Sequence, residues 1–226
     1  VREDDATWSL KGIDGEVGSD GALTITEGAA AHAGTVSGEL DGIAATARVR
    51  VVPTLTYEEN FDGIEIAEER ASVPSFWIGA VNKFFVEDMD GNHVLHKGRA
   101  TRGLERAQAY LGPATMSGYT IQADMMGTKP KRNMPDMGLI AGRYVMDLMG
   151  NPQKLEARSW TSDLRMAQDV AYEWTPDVWY TMKMRVDIVG ANAVVKGKVW
   201  KRDDTEPEEW TITVEDPVPN LTGSPG

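Results

Sequence analysis

Between residues 179 and 189 the chain alternates: Tyr180, Met182, Met184, Val186 and Ile188 fall on one side, Thr181, Lys183, Arg185 and Asp187 on the other. Successive side chains of a strand point to opposite faces, so this pattern predicts a β-strand with one packed face and one wet face. A second alternation runs from 44 to 52. It puts Ala47, Val49 and Val51 opposite Arg48 and Arg50, a half-buried strand that Pro53 ends. Further strands are predicted over 55–61, 83–87, 93–97, 107–111, 119–126, 137–148, 154–160, 166–173, 193–200 and 210–214. Most are separated by turn chemistry such as Asp90-Gly91, Ser117-Gly118, Gly150-Asn151-Pro152, Thr175-Pro176-Asp177 and Gly190-Ala191-Asn192. No long helical periodicity and no internal repeat appear. So many short strands in residues 54–226 suit a two-sheet sandwich, because one open sheet of that size would leave its apolar faces uncovered. The fold class is all-β.

Residues 1–53 have a texture of their own, with small residues and glycine turns at Asp14-Gly15, Asp20-Gly21 and Asp41-Gly42. The stretches Trp8-Ser9-Leu10, Gly18-Ser19-Asp20-Gly21-Ala22-Leu23-Thr24, Gly34-Thr35-Val36-Ser37, Gly42-Ile43-Ala44 and Ala47-Arg48-Val49-Arg50-Val51 resemble the later strands of a bacterial immunoglobulin-like repeat. Such repeats run to about 100 residues, so this segment is expected to be a partial immunoglobulin-like domain. Residues 54–226 resemble a concanavalin-A-like (laminin-G-like) jelly roll, as found at the carboxyl end of bacterial quinoprotein-type β-propeller repeat proteins, and more distantly 3-keto-disaccharide hydrolase domains. The resemblance rests on Glu59-Asn60-Phe61-Asp62-Gly63, Met134-Pro135-Asp136-Met137-Gly138-Leu139-Ile140 with Arg143-Tyr144, Trp174-Thr175-Pro176-Asp177-Val178-Trp179-Tyr180, and Gly197-Lys198-Val199-Trp200. These motifs are mainly structural and say little about chemistry. The resemblance further implies a last strand beyond Asn220-Leu221-Thr222-Gly223-Ser224-Pro225-Gly226, and hence a sheet edge left exposed or covered by another segment.

Composition narrows the function classes. Net charge is −12, a field that repels nucleic acid and anionic membrane. The absence of cysteine removes disulfides, thiolate metal sites and a cysteine nucleophile. No apolar run reaches the roughly 20 residues of a membrane-spanning helix, so neither nucleic acid nor membrane insertion is expected. The start at Val1 reads as a mature or excised piece of a longer polypeptide.

Candidate chemistry is sparse. A glycosidase needs two carboxyl groups about 5–10 Å apart, and the Glu-x-Asp-x-x-Glu pattern of jelly-roll glucanases is absent. The acidic clusters Glu65-Ile66-Ala67-Glu68-Glu69, Glu87-Asp88-Met89-Asp90 and Glu206-Pro207-Glu208-Glu209 adjoin turns or proline and read as solvated surface. A pair assembled from distant strands stays open. Asp88, Asp90 and Asn92 alternate as oxygen ligands of a calcium loop do, and equally as the flanks of an Asp-Gly hairpin turn. A structural calcium is what the jelly-roll resemblance implies; no other cofactor is expected. His93 and His96 fall on opposite faces of one strand and cannot share a metal.

Aromatic residues are the better lead, because sugar sites pair an aromatic platform with a few fixed polar groups. The candidates are Trp77, Trp160 and Trp179, with Arg143, Arg158 and Lys183 as polar partners, although each tryptophan also suits core or edge packing. Glu156, Arg158 and Trp160 share one face, opposite Leu155, Ala157 and Ser159. Met125, Met126, Met134 and Met137 bracket the basic loop Lys129-Pro130-Lys131-Arg132. They read either as core filling or as a recognition lip for an acidic polysaccharide. The expectation is a noncatalytic accessory module of an exported bacterial protein (periplasmic, cell-surface or secreted) that binds carbohydrate or another cell-surface polymer. A glycoside-cleaving enzyme and a purely structural module are the alternatives.

Overall fold

The structure, a computed structural model, describes residues 6–97, 107–129, 132–159 and 165–226. It is all-β, with fifteen strands and no helix among the described residues. The chain divides into two compact units, Val1–Leu111 and Gly112–Gly226.

In the first unit, β1 (Thr7–Lys11), β4 (His32–Leu40) and β5 (Ile43–Val51) form an antiparallel sheet in the order β1-β4-β5. Strands β2 (Gly15–Val17) and β3 (Leu23–Ile25) form one hairpin, and β6 (Phe84–Met89) and β7 (Asn92–Lys97) another. The alternation read over 44–52 does make a strand, β5, but its apolar side is covered only at one end. Val49 and Val51 are half-buried, while Ala47 is exposed and Ile43 is 76% exposed.

Composition suggests a boundary at residue 53, whereas packing puts it after Leu111. The reason lies in the segment after Pro53, whose Val73, Phe76, Trp77 and Ala80 make a small core with Ala31 and Ala33 packed against it. Two hydrogen bonds fasten the same segment to the preceding strands: Arg50 Nε donates to the Phe76 carbonyl (2.6 Å), and Ala33 N–H donates to Ser75 Oγ (3.0 Å). Residues 55–61 form bends and irregular chain rather than the expected strand, and 107–111 contribute only a single bridge, Tyr110 to Ile78.

The second unit holds β8 (Thr120–Met126), β9 (Met137–Ala141), β10 (Tyr144–Met149), β11 (Lys154–Ser159), β12 (Ala167–Ala171), β13 (Trp179–Val189), β14 (Asn192–Lys201) and β15 (Ile212–Asp216). They build two four-stranded antiparallel sheets, β12-β11-β10-β9 and β15-β14-β13-β8. One core joins the sheets: Leu139, Tyr144, Met146, Leu148 and Leu155 from the first pack with Met182, Met184, Val186, Val195 and Val214 from the second. Burying each such side chain contributes about 2 kcal/mol. The sheets meet closely at Gly197, where a Cβ would collide with the end of the Met146 side chain. Any larger residue there displaces Met146 from the facing sheet.

The strand expected over 137–148 is instead a hairpin. Gly142 (φ 56°) and Arg143 (φ 64°) both occupy the left-handed region, the geometry of a tight two-residue turn. The inward side chains consequently change from odd positions, Leu139 and Ala141, to even ones, Tyr144, Met146 and Leu148.

At the rim, buried Asp216 accepts hydrogen bonds from Tyr144 Oη (2.7 Å), Arg165 Nη2 (2.7 Å) and Val218 N–H (3.0 Å). The tail then returns to the edge strand β9 of the first sheet. There Gly226 and Ile140 of β9 exchange both backbone hydrogen bonds, at 2.7 and 3.0 Å.

Candidate functional site

The residues singled out from the sequence do not converge. Trp160 lies outside the described residues. Trp77 is a core residue of the first unit, 6% exposed and edge-on to Phe61 at 5.9 Å, so it offers no face to a sugar. Arg143 sits in the β9–β10 turn and not on a strand face with Leu139, Ala141 and Val145, because the turn interrupts the alternation. Arg158 projects from the outer side of β11, whereas Trp179 and Lys183 project from the outer side of β13, in the other sheet.

Asp90 (φ 56°) and Gly91 (φ 86°) form a tight turn, and Asp88 Oδ1 accepts the Gly91 N–H at 3.1 Å. Asp88 pairs with His93 and Met89 with Asn92, so Asp88 and Asn92 point to opposite faces of the ribbon. Asp88, Asp90 and Asn92 thus make a hairpin and do not form one oxygen cage. Among the described residues, no three His, Asp or Glu side chains assemble as a metal-binding group. His93 and His96 do lie on opposite faces of β7; His93 Nδ1 contacts the Phe61 carbonyl and His96 Nδ1 contacts Glu87.

On the outer face of the first sheet, Arg158 belongs to an ion-paired network. Asp147, Glu156 and Asp169 form a row across β10, β11 and β12. Arg158 Nη2 donates to Asp147 Oδ2 at 2.6 Å, while Lys154 Nζ reaches Glu156 at 2.8 Å and Asp169 at 3.3 Å. Burial pushes the Asp147 carboxyl above the ordinary aspartate value. Arg158 opposes that shift, and Asp136 and Glu156 reinforce it. Each carboxylate of the row already has a cationic partner, so Arg158 is a partner to acids and not a free hand for a ligand.

The outer face of the second sheet has a different character. Four cross-strand pairs follow one another along β13 and β14 on the outer side, where Thr181 and Lys198 are themselves buried. Arg202 stands beside Trp179, its backbone N–H donating to the Trp179 carbonyl at 3.0 Å, followed by Thr181 opposite Trp200, Lys183 opposite Lys198 and Arg185 opposite Lys196. Like charges directly opposite each other destabilise a sheet. The loop between β14 and β15 relieves them: Lys183 Nζ contacts Glu206 Oε1 and Oε2 at 2.6 and 2.8 Å, and Lys198 Nζ contacts Glu206 Oε1 at 2.7 Å. Lys198 also donates to the Pro207 carbonyl at 2.7 Å and is itself only 6% exposed. Those two hydrogen bonds from lysine hold the Glu206 carboxyl below the ordinary glutamate value.

Indole rings surround the ammonium groups. Lys183 and Lys198 lie 5.8 and 5.9 Å from the Trp200 ring, Lys198 lies 5.1 Å from the Trp210 ring, and the Arg202 guanidinium lies 5.3 Å from the Trp179 ring. All are within cation–π range. Trp179, Trp200 and Trp210 are each half-buried. Polar depth comes from Thr181, whose hydroxyl donates to Asp124 Oδ1 at 2.6 Å.

Trp200, Trp210, Lys198, Arg202 and Glu206 were absent from the sequence candidates. The signal for two of them was available, since Lys196, Lys198 and Trp200 alternate with Val195, Gly197 and Val199 as clearly as the residues of 179–189 do. Glu206, grouped with solvated acids, is a bridge between lysines. The methionines Met125, Met134 and Met137 pack against the core as filling side chains; of the basic loop near them, Pro130 and Lys131 lie outside the described residues. No family model, curated protein or solved structure matches this chain.

Proposed function

We propose that the chain is a noncatalytic module of a larger exported bacterial protein, and that it binds carbohydrate or another cell-surface polymer on the outer face of β13 and β14. In this proposal the strands of residues 1–53 are the end of an immunoglobulin-like sandwich, and β8 to β15 belong to a concanavalin-A-like jelly roll. One observation carries the functional reading. Trp179, Trp200 and Trp210 are half-buried beside fixed ammonium and guanidinium groups on the wet side of a sheet. A core tryptophan is fully buried; these three are half-buried beside a preformed surface. That arrangement suits an apolar sugar face stacking on an indole while lysine and arginine meet the hydroxyls. Binding then needs no covalent step, and little entropy is lost in ordering a strand that is already rigid.

The test is retention on insoluble and arrayed glycans at up to millimolar ligand. Wild type is retained, and Trp200→Ala loses at least about tenfold in affinity, the scale of one stacking aromatic at a binding hot spot, with its circular dichroism and melting unchanged. No retention on any glycan overturns the proposal.

A further inference from the structure

The geometry points to a carboxylate-binding subsite on the β13–β14 face, specific for uronate-bearing polysaccharide and filled in the free protein by the chain's own Glu206. This inference rests on the carbohydrate-binding reading above and names its ligand class. Its basis is what surrounds the Glu206 carboxylate. Two ammonium groups grip it, Lys183 through both oxygens and Lys198 through Oε1. Trp200 and Trp210 flank those ammonium groups. A carboxylate fixed by paired cations beside an aromatic surface is what a uronate ring presents to a protein: an acid group on one edge and an apolar ring face beside it.

The sheet and the loop contribute unequally to this arrangement. Lys183 and Lys198 are directly opposed on neighbouring strands and held by the ladder; Lys198 is buried, with its ammonium fixed by the Pro207 carbonyl. The cationic pair is thus built into rigid backbone at a cost in repulsion. Its neutraliser hangs on the connection between β14 and β15, where Asp203, Asp204, Thr205, Glu206, Glu208 and Glu209 are all exposed. Glu206 is exposed and Lys183 is partly so, and a pair that is open to solvent on this side contributes little to stability, so a ligand carboxylate that brings its own sugar ring to the indoles displaces Glu206 from Lys183 readily. A neutral glycan has no group to exchange for it and leaves the glutamate in place. The net charge of −12 makes Glu206 a selectivity device as well, since only polyanions that satisfy both lysines overcome the general repulsion.

The experiment is calorimetric titration of the intact chain with polygalacturonate and, separately, with a neutral cello-oligosaccharide and the neutral glycans of the array. Glu206→Gln removes the competing charge and is expected to raise polygalacturonate affinity about tenfold, the factor for a site that is free about one tenth of the time in wild type. Neutral-glycan binding stays unchanged. Lys183→Ser is expected to lose polygalacturonate binding while keeping its melting transition. If Glu206→Gln binds polygalacturonate no better than wild type while neutral glycans still bind through Trp200, the carboxylate subsite is overturned and the carbohydrate module stands. If neither wild type nor Glu206→Gln binds any glycan, both fall together.

Discussion

The two outer faces of the second unit solve one electrostatic problem in opposite ways. Each carries a row of like charges across neighbouring strands: Asp147, Glu156 and Asp169 on one sheet, Lys183 opposite Lys198 and Arg185 opposite Lys196 on the other. On the acidic face the neutralising Lys154 and Arg158 sit two residues either side of Glu156 on the same strand, locked into the sheet that carries the acids. On the basic face, Asp187 bonds Arg185 in the same local manner at 2.7 Å, but Lys183 and Lys198 depend on Glu206 from a loop. Among the described residues, indole rings lie within cation–π reach of Lys183 and Lys198, the pair whose neutraliser hangs on a loop. A charged row that its own strand neutralises is a finished surface. One that borrows its counter-charge is poised to exchange it.

The largest effect comes from the layer the two faces share. Met182 is fully buried between the sheets, and Met182→Ala is expected to destabilise the unit by about 3 kcal/mol, combining lost transfer energy with a residual cavity. Because both faces stand on that core, chemical denaturation followed by tryptophan fluorescence should show a lower midpoint, and the acidic and basic faces should be lost in one transition. A variant that unfolds one sheet while the other persists would break the picture of one core.

A smaller effect separates the faces. Arg158→Ala leaves partly buried Asp147 without its cation and next to Glu156 and Asp136, and it is expected to cost about 1–2 kcal/mol. Glycan affinity stays as in wild type, because Arg158 lies on the other sheet from Trp200. A loss of binding in Arg158→Ala without a loss of stability would move the binding site to the acidic face.

Much of the sheet structure was legible because alternation is a local signal. The 179–189 strand agrees with β13 to the residue, and Leu155, Ala157 and Ser159 are buried opposite Glu156 and Arg158 as their positions require. The hairpin at Gly142-Arg143 was not read, because a two-residue turn shifts the inward phase without a break in apolar content. Site residues were harder still. Lys183 and Trp179 were named from one strand, but their partners come from β14 and a loop, about 20 residues away in sequence. Cross-strand register, which alternation alone does not specify, decides that Lys183 meets Lys198. Trp77 failed for the converse reason: a tryptophan beside polar residues looks identical in sequence whether its ring faces solvent or, as here, Phe61.

The subtlest difference between the faces is in proton affinity. Burial raises the Asp147 carboxyl above its ordinary value, while the lysine hydrogen bonds lower Glu206. Carbon-13 NMR of the side-chain carboxyls during acidification should therefore show Asp147 taking its proton above the ordinary aspartate value and Glu206 taking its own below the ordinary glutamate value. The linkage signs follow. For Asp147 the unfolded chain ionises more readily than the folded one, so its contribution is fully present when it is protonated and is lost as pH rises from the ordinary aspartate range through the raised value. Glu206 acts oppositely; its contribution is present above the ordinary glutamate value and disappears as pH falls through the lowered one. Substitution sharpens the contrast: Arg158→Ala moves the Asp147 midpoint further up, and Lys183→Ser returns that of Glu206 toward normal. If Glu206 takes its proton at or above the ordinary glutamate value, the lysines do not hold its carboxylate in solution, and the basic face loses the borrowed counter-charge that distinguishes it from the acidic one.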